Sequence, residues 1–137
     1  MVDLETYVDG MGKKAAEGNI ASFSWFENLD KPDAKKFVKK MKANSDQRVT
    51  TLTAACYAVL KLWEKAVEKA GTTQGSKLAK AMADLSVDAP EGKVTMRAID
   101  NHAARNSYIA QVKDGEYVVI KDFGLVEPGK DQRNPQW

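Results

Sequence analysis

A single cysteine and a single histidine in 137 residues remove two kinds of chemistry at the outset. Cys56 has no second thiol in the chain with which to form a disulfide. His102 has Asp100 and Asn101 beside it, but one imidazole cannot supply a usual zinc ligand set. Pairing His102 with Ser107 as base and nucleophile leaves the pair without an orienting carboxylate or an oxyanion motif. No metal, no cofactor and no enzymatic centre is therefore expected. Long apolar runs are also missing, and nothing approaches the ~20 residues of a membrane helix. Charge of one sign is scarce as well: 21 Lys and Arg face 19 Asp and Glu, a net charge of +2. That excess does not argue for nucleic acid, and no recognition helix or aromatic RNA-binding motif accompanies it. Met1 to Glu5 has neither a basic n-region nor an apolar h-region and does not read as a signal peptide. The expectation is a cytoplasmic chain or one lacking an upstream portion. Internal repeats and low-complexity linkers are absent.

What is present suits one soluble domain, residues 1–137, with 43% hydrophobic and 29% charged residues. Residues 1–17 are a weak helix or loop, because Gly10 and Gly12 interrupt the spacing of Leu4, Tyr7 and Met11. Residues 18–26 are apolar and aromatic with almost no charge, and predict a largely buried strand. Asp30 or Lys31 caps a helix that carries Pro32 in its first turn. Its narrow stripe of Phe37, Val38 and Met41 is surrounded by lysines that read as a solvated face. The strongest helix is 50–70, where Leu52, Ala55, Cys56, Val59, Leu60, Trp63, Ala66, Val67 and Ala70 recur at helical spacing. Thr50 or Thr51 caps it and Gly71 ends it. On this stripe Trp63 is expected in the core, and Cys56 is expected there as a small packing residue. A shorter helix, 76–85, starts at Ser76. Asp88 to Gly92 reads as a turn, Val94 to Ile99 as a strand, and Asp100 to Asn106 as a polar connection. Two further strands, 107–113 and 116–121, flank Asp114-Gly115, a pair favoured in tight hairpins. Residues 123–137 are expected to form an irregular tail.

Two short matches carry no chemistry. Asp122-Phe123-Gly124 spells the kinase magnesium triplet without a phosphate loop or catalytic loop. Gly10 to Lys13 lacks the spacing of a phosphate-binding loop. The aromatics Phe23, Trp25 and Phe26 are open to two readings, core packing or the lining of a small-molecule pocket.

Five blocks, in order, resemble one family. They are Ala16 to Glu27 (AEGNIASFSWFE) followed by Leu29 to Pro32 and Phe37-Val38; Ala54 to Tyr57 (AACY); Trp63 to Gly71 (WEKAVEKAG); Asp88 to Gly92 (DAPEG) with Asn101-His102; and Asp122 to Gln132 (DFGLVEPGKDQ). Together they resemble the C-terminal portion of the type I periplasmic solute-binding proteins of ABC transporters for urea, short amides and branched-chain amino acids. Three positions depart from the pattern. Trp25 stands where the family has tyrosine, Ala21 where amide binders have threonine, and Arg133 where the family has cysteine.

The resemblance implies an α/β fold: a partial lobe of one strand and three helices followed by C-terminal strands and a hairpin, with a sheet that a partner can complete. It implies a small polar solute (urea, an amide or an amino acid) and an ABC permease as partners, and a periplasmic location. The same fold also serves as a cytoplasmic amide sensor that engages a regulator. A self-associating module that binds no solute is the third reading. On the first, Ala21, Ser22, Phe23 and Trp25 line one wall of the solute cleft. Strand alternation prevents both hydroxyl and aromatic sets from facing the solute together, and favours Ala21, Phe23 and Trp25 on one face. The family binds its solute between two lobes, so one wall by itself is expected to bind weakly or not at all.

Overall fold

The structure is a computed structural model and describes residues 4–127. Two short helices open it, α1 (Leu4–Met11) and α2 (Lys13–Ala16), followed by strand β1 (Ile20–Phe23). Three helices come next: α3 (Pro32–Lys42), α4 (Thr51–Ala70) and α5 (Gly75–Met82). Four strands follow among the described residues: β2 (Ser86–Ala89), β3 (Gly92–Met96), β4 (Ala103–Lys113) and β5 (Glu116–Val126). The mixed helix-and-sheet architecture agrees with the expected α/β class, and every ladder in its five-stranded sheet is antiparallel.

Helix ends follow local chemistry. Lys31 precedes α3 in extended conformation and Pro32 occupies its first turn, where a missing N–H costs nothing. Thr50 caps α4 by accepting the Thr53 backbone N–H at 3.3 Å, and Gly71 closes it in the left-handed region at φ 63°. α5 differs from expectation. It is preceded by Gln74 with no side-chain cap, and it ends at Met82, before Leu85.

Strand β4 is the organiser. It pairs with β1 (Ile20 opposite Gln111, Phe23 opposite Tyr108), and with β5 along its other edge. Its first two residues, Ala103 and Ala104, pair with Met96 and Thr95 of β3. The strand lying among the helices thus finds its partner within this chain. Asp114 and Gly115, both at positive φ, make the tight β4–β5 turn that the sequence predicts. β5 runs on to Val126, so Asp122-Phe123-Gly124 is strand where an irregular tail was expected; the rest of that tail, 128–137, lies outside the described residues. The Asp88 to Gly92 segment is a tighter device than a loop. Only Pro90 and Glu91 separate β2 from β3, and Ala89 pairs with Gly92.

Burial divides into two clusters. The first gathers Val8, Trp25, Phe26, Leu29, Phe37 and Val49 with Tyr108, Val112 and Tyr117 of the β4–β5 hairpin. The second packs Leu62, Leu78, Leu85, Val87 and Val94 between α4, α5 and the β2–β3 hairpin. Helix α4 spans both, with Ala54 in the first and Ala58, Leu62 and Ala66 in the second. Of the expected packing stripe, Ala66 is buried and Val67 and Ala70 pack against the second core, but its N-terminal part is corrected. The buried face is the one with small residues, whereas Leu52, Val59, Leu60 and Trp63 are open, Trp63 at 45% of its surface. Cys56 is exposed and is not a core residue. Alanines at helical spacing let the helix backbone approach its neighbours closely, and the bulkier residues are turned outward.

Candidate functional site

The four residues expected on the solute wall separate in the structure. Ala21 is half-buried and packs against the first core. Ser22 and Phe23 are exposed and line an open groove together with Ser24, Ala103, Arg105, Asn106, Ser107 and Val126. Trp25 is fully buried, edge-on to Phe37 at 6.1 Å between ring centroids. The expected alternation of Ala21, Phe23 and Trp25 fails because β1 ends at Phe23. A bend at Ser24 turns the next three residues inward. Trp25 has no surface to offer a solute.

The groove is a shallow, open depression of about 360 Å³ at the meeting of β1, β4 and β5. Phe23 and Val126 give it apolar surface, and Ser22, Ser24 and Ser107 give it hydroxyls. Among the described residues Arg105 is its sole ionisable lining residue.

A buried carboxylate holds this side of the groove. Glu91, in the β2–β3 turn, is fully buried, and its Oε1 accepts from Arg105 Nη2. Its backbone carbonyl accepts from Asn106 Nδ2 at 2.7 Å and from the Tyr108 hydroxyl at 3.0 Å. Asn106 Nδ2 also lies 2.9 Å from that hydroxyl. Glu91 Oε2 and Arg105 Nε are buried without a hydrogen-bond partner among the described residues. Gly92 makes the arrangement possible. It sits at φ 113°, and a Cβ there would stand 2.6 Å from Asn106 Nδ2. Burying a lone carboxylate is costly, so the Arg105 guanidinium is what permits Glu91 to sit there.

Two other concave places are less suited. Asp9, Glu27 and Glu116 close around Arg48 at 3.0, 3.0 and 2.7 Å, and leave no space for a water-sized body. Burial pushes the Glu27 carboxyl up. Lys42 at 2.6 Å and Arg48 outweigh it and hold the group below the ordinary glutamate range. This cluster staples α1 and the segment before α4 to the β4–β5 turn. A second groove, about 280 Å³, lies between α3, α4 and the β2–β3 turn, lined by Lys36, Lys40, Tyr57, Asp33 and Asp88 among others. Its charges have mixed sign and hold no buried polar group in place.

His102 lies in the β3–β4 turn. Its backbone N–H donates to Asp100 Oδ1 at 3.0 Å, and Arg97 Nη2 stands 3.0 Å from Asp100 Oδ2. Among the described residues no three His, Cys, Asp or Glu side chains are placed to share a metal ion. Among the same residues no helix is long and apolar enough to cross a membrane.

The sequence reading missed Arg105, Asn106 and Ser107, taken as connection and strand edge, and Glu91, taken as a turn residue. No periodicity marks them. The signal that finds them is the pairing register, which brings a turn carboxylate beneath an arginine 14 residues later.

A model of the periplasmic binding protein domain matches residues 3–130, and the chain belongs to that family. The fold agrees with solved solute-binding proteins. One, from an ABC transporter of Rhodopseudomonas palustris BisB5 in complex with 3,4-dihydroxybenzoic acid, is 24% identical at a TM-score of 0.80, over 90% of this chain and 35% of that one. A benzoate complex of a solute-binding protein from R. palustris gives 20% identity and a TM-score of 0.81, over 97% of this chain and 36% of the other. The closed leucine-, isoleucine-, valine-, threonine- and alanine-binding protein of Brucella ovis gives 19% and 0.77, over 92% and 36%. A curated relative, limonene hydroxylase of Geobacillus stearothermophilus, is 26% identical over 113 residues, 80% of this chain and 21% of its own length. The chain therefore spans about a third of the solved proteins it matches and about a fifth of that relative.

Proposed function

We propose that this chain is the C-terminal part of a solute-binding protein of an ABC uptake system. In this reading it supplies one wall of a cleft that closes on a small solute and presents it to a permease, without catalysis, on the periplasmic side. The observation that carries the reading is the groove where β1, β4 and β5 meet. It joins Ser22 and Phe23, from the block that resembles the solute-binding family, to Arg105, Asn106 and Ser107. The candidate solutes are urea, short amides and branched-chain amino acids, to which the relatives that hold benzoates add small aromatic acids.

An open groove leaves much of a solute's polar surface in water, while the entropy of capture is still lost. Half-saturation above about 1 mM is expected for the chain by itself, which corresponds to no more than about 4 kcal/mol of binding. Calorimetry at millimolar solute should then show no saturable heat. Amide-resolved NMR, with each solute class in turn at tens of millimolar, should still show shifts at Ser22, Phe23 and Ser107. If no class moves those resonances, the groove is not the wall.

A further inference from the structure

The geometry points to the solute class that this wall selects: a small monocarboxylate without a neighbouring ammonium group, its carboxylate anchored by the Arg105 guanidinium and the hydroxyls of Ser22 and Ser107. The inference rests on the groove being the solute wall and adds the charge of what binds there.

Three observations carry it. First, among the described residues Arg105 is the sole ionisable residue lining the groove, so these residues offer the solute a fixed cation and no anion. An amino acid brings an ammonium group that would find no carboxylate among the described lining residues, and Glu91 behind them is fully buried. Urea and amides bring no charge and would leave the guanidinium paired only from behind.

Second, the guanidinium is held in place before any solute arrives. Glu91 takes Nη2, Nε is buried beneath, and 32% of the side-chain surface stays open. A planar, permanently charged fork fixed on one side is suited to a second carboxylate on the other. The pair is also incompletely satisfied. Among the described residues, Glu91 Oε2 lacks a donor and the Arg105 guanidinium has one acceptor for its five N–H groups.

Third, the groove is two-sided in character. Phe23 and Val126 present open apolar surface, at 42% and 44% exposure, beside the cation and the serines. A carboxylate on an apolar or aromatic body matches both halves. Benzoate is the simplest such probe.

The experiment is an NMR titration of this chain with sodium benzoate, read on the Arg105 Nε–Hε resonance and on the backbone amides of Ser22, Ser24 and Ser107. Benzamide, leucine and sodium chloride at matched concentration are the controls. Benzoate is expected to shift these resonances towards saturation, with at least roughly tenfold weaker response to benzamide, the ratio a charge-assisted hydrogen bond supports. Leucine should respond more weakly than benzoate, and chloride should not reproduce the shifts. In Arg105→Gln the preference for acid over amide should vanish. Because that variant strands Glu91, the double variant Arg105→Gln with Glu91→Gln is measured beside it, and the wild-type comparison needs no variant at all. Equal response to benzamide and benzoate would overturn the anion anchor while leaving the groove as a solute wall. Leucine binding better than benzoate, or chloride giving the same shifts, would likewise overturn it. Benzoate shifts confined to the α3–α4 groove near Tyr57 would overturn the anion anchor, and no shift of the groove resonances with benzoate, benzamide or leucine would overturn both readings.

Discussion

Trp25 and Trp63 form a matched test of which tryptophan carries the fold. Trp25 is fully buried, and its ring meets Phe37 edge-on in the cluster that also holds Phe26, Leu29 and Val49. Truncating a buried aromatic to alanine costs about 3–5 kcal/mol. The indole N–H is buried without an acceptor among the described residues, and its removal returns about 1 kcal/mol of that loss. Trp25→Ala should therefore destabilise by about 3 kcal/mol. Trp63 keeps 45% of its surface in water, and its loss should cost about 1 kcal/mol or less. With a urea slope of about 2 kcal/mol/M, the midpoint should fall by about 1.5 M for Trp25→Ala and by under about 0.5 M for Trp63→Ala. Far-UV circular dichroism is the readout, since fluorescence would change with the tryptophans themselves. If Trp25→Ala does not fold, Trp25→Phe keeps most ring contacts, removes the unpaired N–H, and should cost only about 1 kcal/mol. A larger midpoint shift for Trp63→Ala than for Trp25→Ala would refute the assignment of the packed face of α4.

Three further outcomes are expected. Gly92→Ala should destabilise by about 2 kcal/mol in urea denaturation, since φ 113° strains any L side chain and the new methyl would displace Asn106. Glu27 has a folded pKa below its unfolded value near 4.3. Its contribution is therefore complete above about pH 5 and is lost as pH falls through the folded value. The urea midpoint should drop between about pH 5 and pH 3, and Glu27→Gln should flatten that limb while lowering the midpoint at pH 7. Chelator should leave the melting temperature of protein purified without a histidine tag unchanged, because His102 is held in a turn by Asp100 and has no companion ligands among the described residues; a drop in melting temperature would reveal a structural metal.

Much of this architecture can be read from local chemistry, and what cannot be read is mostly orientation. Thr50, Gly71, Pro32 and the Asp114-Gly115 pair each fix a conformation by themselves, and each sits where the sequence places it. The choice of buried face on α4 is different. Leu52, Val59, Leu60 and Trp63 make the larger apolar stripe, and periodicity selects it. Packing selects the row of Ala54, Ala58, Leu62 and Ala66, because small side chains allow close approach to the hairpins. Trp25 shows the same limit at the site. Strand alternation carried past Phe23 puts it beside the solute, but one bend at Ser24 inverts the phase. Arg105 and Glu91 become neighbours only through the register of β3 on β4, which no local pattern encodes.

The position of the groove explains why its polar groups are so closely held. Its aromatic residue, Phe23, is exposed, and its ring meets Phe26 of the first core edge-on at 6.4 Å. Its cationic side hangs from Glu91, whose turn follows Ala89 of the second core. The groove thus lies across the junction of the two cores, and Tyr108 ties the sides together: it is buried in the first core while its hydroxyl donates to the Glu91 carbonyl.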